Sequence, residues 1–503
     1  MELLNNLGIG FATALSLTNL FYCFFGVLLG TLIGVLPGLG AVATIAMLLP
    51  ATFALPPVSA LIMLAGIYYG AQYGGSTTAI LVNLPGESSS VVTALDGYQM
   101  ARQGRAGAAL TTAAMGSFVA GSLATLLIAM FAAPLAEMAL AFGPPEYFSL
   151  MVLGLVASVV LAHGSLLKAI AMIITGLLLG LVGTDVSSGL ARFTFDQPEF
   201  EEGLSFVAVA MGLFGIGEIV RNLEHELHAS GVPQIHKIGR LMPTGAEIRR
   251  MIAPIFRGTT LGSLLGVLPG GGAMLASFAS YSLEKKLSRN PGEFGRGAIE
   301  GVAGPESANN AGAQTSFIPM LTLGIPSNAV MALMAGAMIL HGIQPGPTVM
   351  TEQPALFWGM ITSMWIGNVM LVILNLPLVG LWVRLLTVPY HYLFPVIVVI
   401  CAIGAFSVSN SLLDIQLMAF FGLFGYVFYK LDCEAAPLLL GFILGPMMEE
   451  YLRRAMVLSR GDFSVFFTRP ISATLLALSG IVLALVVLPA FRKTREEAFQ
   501  EED

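Results

Sequence analysis

The hydrophobic positions of this chain fall in long runs, not in the short alternation of a fold that keeps one face in water. From Leu3 to Gly86 there is no Asp, Glu, Lys or Arg. A bilayer-spanning helix needs only about 20 apolar residues. The runs predict spanning helices near 9–29, 58–84, 107–133, 146–162, 166–183 and 203–220. They resume near 357–381, 392–410, 412–430, 435–447 and 471–490. Three other apolar stretches, 30–56, 257–283 and 311–345, are interrupted by Gly and Pro. Backbone freed by such breaks is tolerated at membrane depth only inside protein or along a cavity. The pattern predicts an all-α polytopic membrane protein with about 11–12 spanning helices and broken or re-entrant helices at the midplane.

Composition agrees, with 56% of the 503 residues hydrophobic and 11% charged; a soluble domain carries about 25% charged residues. Basic loops set the orientation. Arg102 and Arg105 precede one helix, Lys168 sits in a tight connection, and Arg221, Lys237, Arg240, Arg249, Arg250 and Arg257 crowd 221–257. The loop around 184–202 is acidic. Placing the basic loops in the cytoplasm gives a consistent zigzag, strained only by Arg453, Arg454, Arg460 and Arg469. Cys23, Cys401 and Cys433 are odd in number and far apart, which argues against a disulfide framework or a structural metal. The opening Met-Glu-Leu-Leu-Asn-Asn lacks a basic signal-peptide region, so the first apolar segment reads as a retained helix.

One segment occurs twice. Gly30-Thr-Leu-Ile-Gly-Val-Leu-Pro-Gly-Leu-Gly-Ala41 returns as Gly262-Ser-Leu-Leu-Gly-Val-Leu-Pro-Gly-Gly-Gly-Ala273, identical at nine of twelve positions with an offset of 232. Gly70-Ala71-Gln72 and Leu84-Pro85-Gly86 likewise match Gly312-Ala313-Gln314 and Ile325-Pro326-Ser327, at offsets of 242 and 241. The chain divides into repeat one (1–220), a cytoplasmic linker (221–256), repeat two (257–447), and a stretch 448–503 with an amphipathic segment, an extra helix and a charged tail. Ser88–Arg105 ends on two arginines, whereas Ala329–Gly346 has no Lys or Arg. That difference predicts opposite orientations for the two repeats, the inverted-topology arrangement common among secondary transporters.

The breaks carry the candidate chemistry. Pro37 and Pro269 remove a backbone donor, and Gly38, Gly40, Gly270, Gly271 and Gly272 let backbone approach a ligand. Helices resuming near Ala41 and Ala273 would point free N–H groups and a positive dipole end at an anion. The bland alternative for Gly30, Gly34, Gly262 and Gly266 is small-residue helix packing, which is favoured for those four. Gln72, Ser76, Thr77, Thr78 and Asn83 lie in one second break, and Asn309, Asn310, Gln314, Thr315, Ser316, Ser327 and Asn328 in the other. These neutral groups could dehydrate Na⁺ or hydrogen-bond an anion, or merely bond helix to helix. No metal site is assigned beyond a possible Na⁺ near the same breaks. Glu87 and Glu306 adjoin the breaks as ion ligands, gates or solvated loop ends. His163 and His341 read as interface residues, and Asp96 as part of a solvated face. No P-loop, His-Glu-x-x-His or acid/base constellation marks an enzyme, and no other cofactor is indicated.

Gly34-Val-Leu-Pro-Gly-Leu-Gly40, Tyr69-Gly-Ala-Gln-Tyr-Gly-Gly-Ser-Thr-Thr78, Asn83-Leu-Pro-Gly-Glu87, Leu95-Asp-Gly-Tyr-Gln99, Pro305-Glu-Ser-Ala-Asn-Asn310, Leu323-Gly-Ile-Pro-Ser327 and Leu440-Gly-Phe-Ile-Leu-Gly-Pro446 together resemble the large transmembrane subunit of the tripartite tricarboxylate transporters. The resemblance runs through nearly the whole chain. It implies a multi-pass protein of the bacterial inner membrane that moves a tri-, di- or aromatic carboxylate, driven by Na⁺ or H⁺. It further implies a periplasmic solute-binding protein and a small four-helix membrane subunit as partners, and no nucleic acid. A passive anion channel is the alternative; duplicated broken helices favour a carrier.

Replacing Gly38 or Gly270 with leucine is expected to abolish carboxylate uptake while leaving membrane insertion normal. Sodium-dependent uptake that survives either change would dismiss the Pro-Gly breaks as site elements.

Overall fold

The computed structural model describes residues 2–36, 40–84, 86–139, 141–161, 165–185, 188–228, 238–268, 272–385 and 390–487. Pro37, Gly38, Pro269, Gly270, Gly271 and His163 therefore lie outside the described residues. Apart from a two-residue ribbon pairing Gly183–Thr184 with Ala191–Arg192, the regular structure described is helical. From the N-terminus come α1 (Glu2–Ala14), α2 (Leu17–Val35), α3 (Ala41–Phe53), α4 (Pro57–Val82), α5 (Val91–Arg102) and α6 (Ala106–Ala139). Next are α7 (Pro144–Leu161), α8 (Leu166–Gly180), α9 (Phe206–Ala210) and α10 (Gly217–His228), the last two joined by a π-helical stretch, Met211–Ile216. Then follow α11 (Gly245–Gly266), α12 (Gly272–Leu287), α13 (Glu300–Thr315), α14 (Phe317–Leu323), α15 (Ala329–Leu340), α16 (Thr348–Glu352) and α17 (Pro354–Asn375). The chain closes with α18 (Val379–Leu385), α19 (Tyr390–Ser409), α20 (Leu412–Lys430), α21 (Ala435–Leu458), α22 (Val465–Thr468) and α23 (Pro470–Val487).

The chain is an all-α polytopic membrane protein. Among the described residues, five stretches are long and apolar enough to cross a bilayer: Leu17–Val35, Ala106–Leu135, Phe206–Glu224, Pro354–Asn375 and Leu412–Lys430. Shorter apolar stretches of 10 to 17 residues lie in six further helices, and α4, though 26 residues long, carries Gln72, Ser76, Thr77 and Thr78 in its interior. Large apolar side chains face outward on α20, where Leu412, Phe420, Leu423, Phe424 and Val427 are all exposed. A water-facing surface would not tolerate that stripe.

Glycine seams organise the interior. A Cβ on Gly26, Gly30 or Gly34 of α2 would strike the backbone of Met63, Ile67 or Ala71 of α4. The partners rise in the same order, so α2 and α4 run parallel. Gly258, Gly262 and Gly266 of α11 meet Gly304, Ala308 and Gly312 of α13 in the same way. Both sets of long-helix partners stand 241 residues apart. The Gly70-Ala71-Gln72 match at 242 is thus one residue out of step with the packing, because Ala71 rather than Gly70 occupies the place of Gly312.

Parallel neighbours dictate what lies between them. The end of α2 and the start of α4 are at opposite ends of the pair, so residues 36–56 must travel back. With 13 residues, α3 covers roughly 20 Å, less than the roughly 30 Å hydrocarbon core. In repeat two, α12 visibly returns along α13, with Ala273 beside Gly312 and Glu284 beside Gly304. Each long helix then ends at a left-handed residue, Asn83 (φ 58°) in one repeat and Gly324 (φ 75°) in the other, again 241 apart. Asn and Gly are the residues that adopt this conformation cheaply.

Three of the four arginines that strained the orientation scheme, Arg453, Arg454 and Arg469, have carboxylate partners. Arg453 pairs with Asp185 at 2.8 Å, Arg192 with Glu449 at 2.8 Å and Arg469 with Glu146 at 2.8 Å. Arg454 pairs with Glu450. The Arg453–Asp185 and Arg192–Glu449 pairs tie α21 to the acidic loop.

Gly30→Val and Gly262→Val are each expected to lower thermal stability in detergent, by about 2 kcal/mol or more, since backbone must move to admit the side chain. Gly245→Val, whose Cβ meets open space, should leave the melting temperature nearly unchanged.

Candidate functional site

The first break closes on itself through α4. Thr78 donates its hydroxyl to the Val35 carbonyl at 2.8 Å, satisfying an acceptor freed where α2 ends. Beyond the break, the Ala41 N–H at the start of α3 donates to the Glu87 carboxylate. A carboxylate is what the positive end of a helix attracts, and here the chain supplies its own. The Glu87 side chain also lies against Gly40 and Gly75.

The helix start that follows the second break has different chemistry. Gly272 opens α12, and a Cβ there would lie 3.4 Å from Asn328 Nδ2. Asn328 stands 241 residues after Glu87, the offset of the glycine seams. Its Oδ1 accepts the Met331 N–H at 2.9 Å, capping α15, while its Nδ2 donates to Ser316 Oγ at 3.2 Å. Ser327 donates to the Ser316 carbonyl at 3.2 Å. A carboxylate closes the first helix start and a neutral amide faces the second.

The two breaks share one locus. Tyr68 of α4 stands beside Phe317, with ring centroids 6.4 Å apart, in the neighbourhood of Gln72, Ser316, Asn328 and Glu87. Tyr69 packs on Phe317 with ring centroids 6.0 Å apart, while Ser76 donates to Glu306 at 2.7 Å. Rising along α4 is therefore falling along α13 and α14, and the two helices pass in opposite senses.

The other expected site residues separate into roles. Asn83 ends α4 as its left-handed cap. Gln72 accepts from the Ser89 hydroxyl at 2.9 Å, and Thr315 bonds back to the Ala311 carbonyl at 2.9 Å. Thr77 bonds to the Tyr73 carbonyl at 3.1 Å. Asn310 donates to Ser117 at 2.6 Å, and Gln314 accepts from Thr125. Asn309 is wholly buried with neither amide atom partnered. His341 stacks beside Phe53 at 6.3 Å.

Asp96 overturns its expected solvated face. It is fully buried and accepts the N–H groups of Gly297 at 2.7 Å and Ala298 at 2.8 Å, and the Tyr281 hydroxyl at 3.0 Å. It clasps the entry to α13. The amphipathic pattern of 88–105 shows a polar face, and polarity alone does not say whether water or backbone amides meet it. Glu284, 1% exposed, is held by both guanidinium arms of Arg257 at 2.8 and 2.5 Å.

The family model described as the tripartite tricarboxylate transporter TctA family matches residues 20–440. An "uncharacterized 52.8 kDa protein in TAR-I ttuC' 3'region" of Agrobacterium vitis is 62% identical over 503 residues, the full length of both chains. An "uncharacterized protein in TAR-II ttuC' 3'region" of the same organism is 64% identical over 242 residues, covering 48% of this chain and all of that one. No solved structure matches.

Asp96→Ala strands two amides and a phenol and is expected to cost about 3 kcal/mol. Limited trypsinolysis at Arg296 should accelerate; an unchanged cleavage rate would deny the clasp.

Proposed function

The chain belongs to the tripartite tricarboxylate transporter TctA family, and from that premise we propose that it carries a small tri-, di- or aromatic carboxylate across the bacterial inner membrane by secondary active transport. A periplasmic solute-binding protein delivers the anion and a small four-helix membrane subunit assists. The transmembrane gradient of Na⁺ or H⁺ supplies the energy. No bond is made or broken in this cycle.

The observation that carries the reading is the unequal pair at the two helix starts. At α3 the Glu87 carboxylate already receives the Ala41 amide. At α12 the equivalent place holds Asn328, which brings no charge. The positive end of α12 is therefore the seat for a substrate carboxylate, with Asn328, Ser316 and Tyr68 as hydrogen-bonding neighbours. The opposite senses of α4 and α13, each with its own parallel glycine-seamed partner, support inverted repeats that meet at this seat. Alternating access then exposes one seat to each side in turn.

The test is uptake into vesicles that contain this chain and the small subunit, with binding protein outside, over a carboxylate panel with and without a sodium gradient. Uphill accumulation is expected. Asn328→Asp, which sets a negative charge in the seat, should cut uptake at least about tenfold. Downhill equilibration alone would indicate a channel, and full uptake by Asn328→Asp would remove the seat from α12.

A further inference from the structure

Glu306 sits in the middle of α13, has no exposed surface, and is met by groups from three other helices. Ser76 of α4 donates at 2.7 Å, Ser117 of α6 at 3.4 Å, and Thr93 of α5 donates as well. No Lys, Arg or His pairs with it among the described residues. Two other wholly or almost wholly buried carboxylates are answered differently: Glu284 has Arg257 and Asp96 has two backbone amides. Hydroxyls alone do not cancel a full charge at this depth, where an uncompensated ion costs several kcal/mol. The place equivalent to Glu306 in repeat one is Ala65 at the 241-residue offset, so duplication of the packing does not require this carboxylate.

Beside Glu306 is a cavity of about 10 Å³, room for one water-sized particle. Tyr73, Ser76, Thr77, Ser117 and Asn375 complete its polar lining. Two of those groups, the Tyr73 hydroxyl and Asn375 Oδ1, are buried without a partner. Unpartnered buried polar atoms aimed into a cavity call for an occupant. Five side-chain oxygens around a single carboxylate, with no nitrogen base or thiol in the lining, are the donor set of a hard cation. One negative charge and one small space select a small monovalent ion.

We propose that Glu306, Tyr73, Ser76, Thr77, Ser117 and Asn375 form a sodium site, separate from the carboxylate seat at α12. Oxygens come from α4 and α6 of the first repeat, α13 of the second, and α17. Na⁺ bound there ties the two long antiparallel helices together at the level where they cross. That it drives transport rests on the function proposed above; that it binds does not.

The experiment reads binding alone, on the purified full chain in lipid nanodiscs without carboxylate or binding protein. Melting temperature is followed against NaCl, with choline chloride holding ionic strength constant. A ligand that binds only the folded state raises the midpoint saturably. Wild type is expected to show a saturable rise with Na⁺ and none with K⁺. Glu306→Gln should lose the rise, and Tyr73→Phe, which keeps the ring, should raise the half-saturating concentration about tenfold. If Glu306→Gln does not fold, Tyr73→Phe and Asn375→Ala decide the matter. An equal response to Na⁺ and K⁺, an unaltered response in the variants, or stabilisation by acid in place of sodium each overturns the site. Vesicle uptake that fails while this titration succeeds would reject the transport reading and leave the site standing.

Discussion

Close approach of backbone at two glycine seams is the constraint on which the rest depends. Without side chains at Gly26, Gly30 and Gly34, α2 lies flat against α4 in the same direction, and Gly258, Gly262 and Gly266 do the same for α11 against α13. Two neighbouring helices of one chain can be parallel only if the segment between them doubles back. The breaks are thus a geometric requirement of the seams as well as chemical features. Lipid gives no hydrophobic push between helices, so close van der Waals contact at small residues has to hold such pairs.

Around this frame four carboxylates are answered in four ways. Glu284 has a guanidinium, Asp96 has amides from the start of an adjoining segment, Glu87 has a helix end, and Glu306 has hydroxyls only. The first two hold elements in place with their charge fully answered. The last two stand at the breaks and at the crossing of α4 with α13, where parts from both repeats converge.

Much of this was legible in the residues. The Leu-Pro-Gly duplication marks the breaks, and the small residues at spacing four mark the seams, because both are local patterns with local physical causes. The family followed from motifs spread along the whole chain. Depth and partnership were not legible. Asp96 lies on a stretch whose polar face meets buried amides rather than water, and that depends on residues some 200 positions away. The helix start at Ala41 was read as open to a ligand, whereas Glu87 closes it. Nor does the pattern of apolar runs show that a long helix such as α4, with Gln72, Ser76, Thr77 and Thr78, is buried along nearly its whole length among other helices.

The exchange of Glu87 for Asn328 between otherwise matched positions also bears on energetics. A carrier assembled from two chemically identical, oppositely set copies would have inward-open and outward-open forms related by symmetry, hence of equal free energy. One carboxylate without a twin lifts that degeneracy. In a carrier of the kind proposed, the unmatched pairs Glu87 with Asn328 and Glu306 with Ala65 would tilt the resting population to one side before any solute arrives.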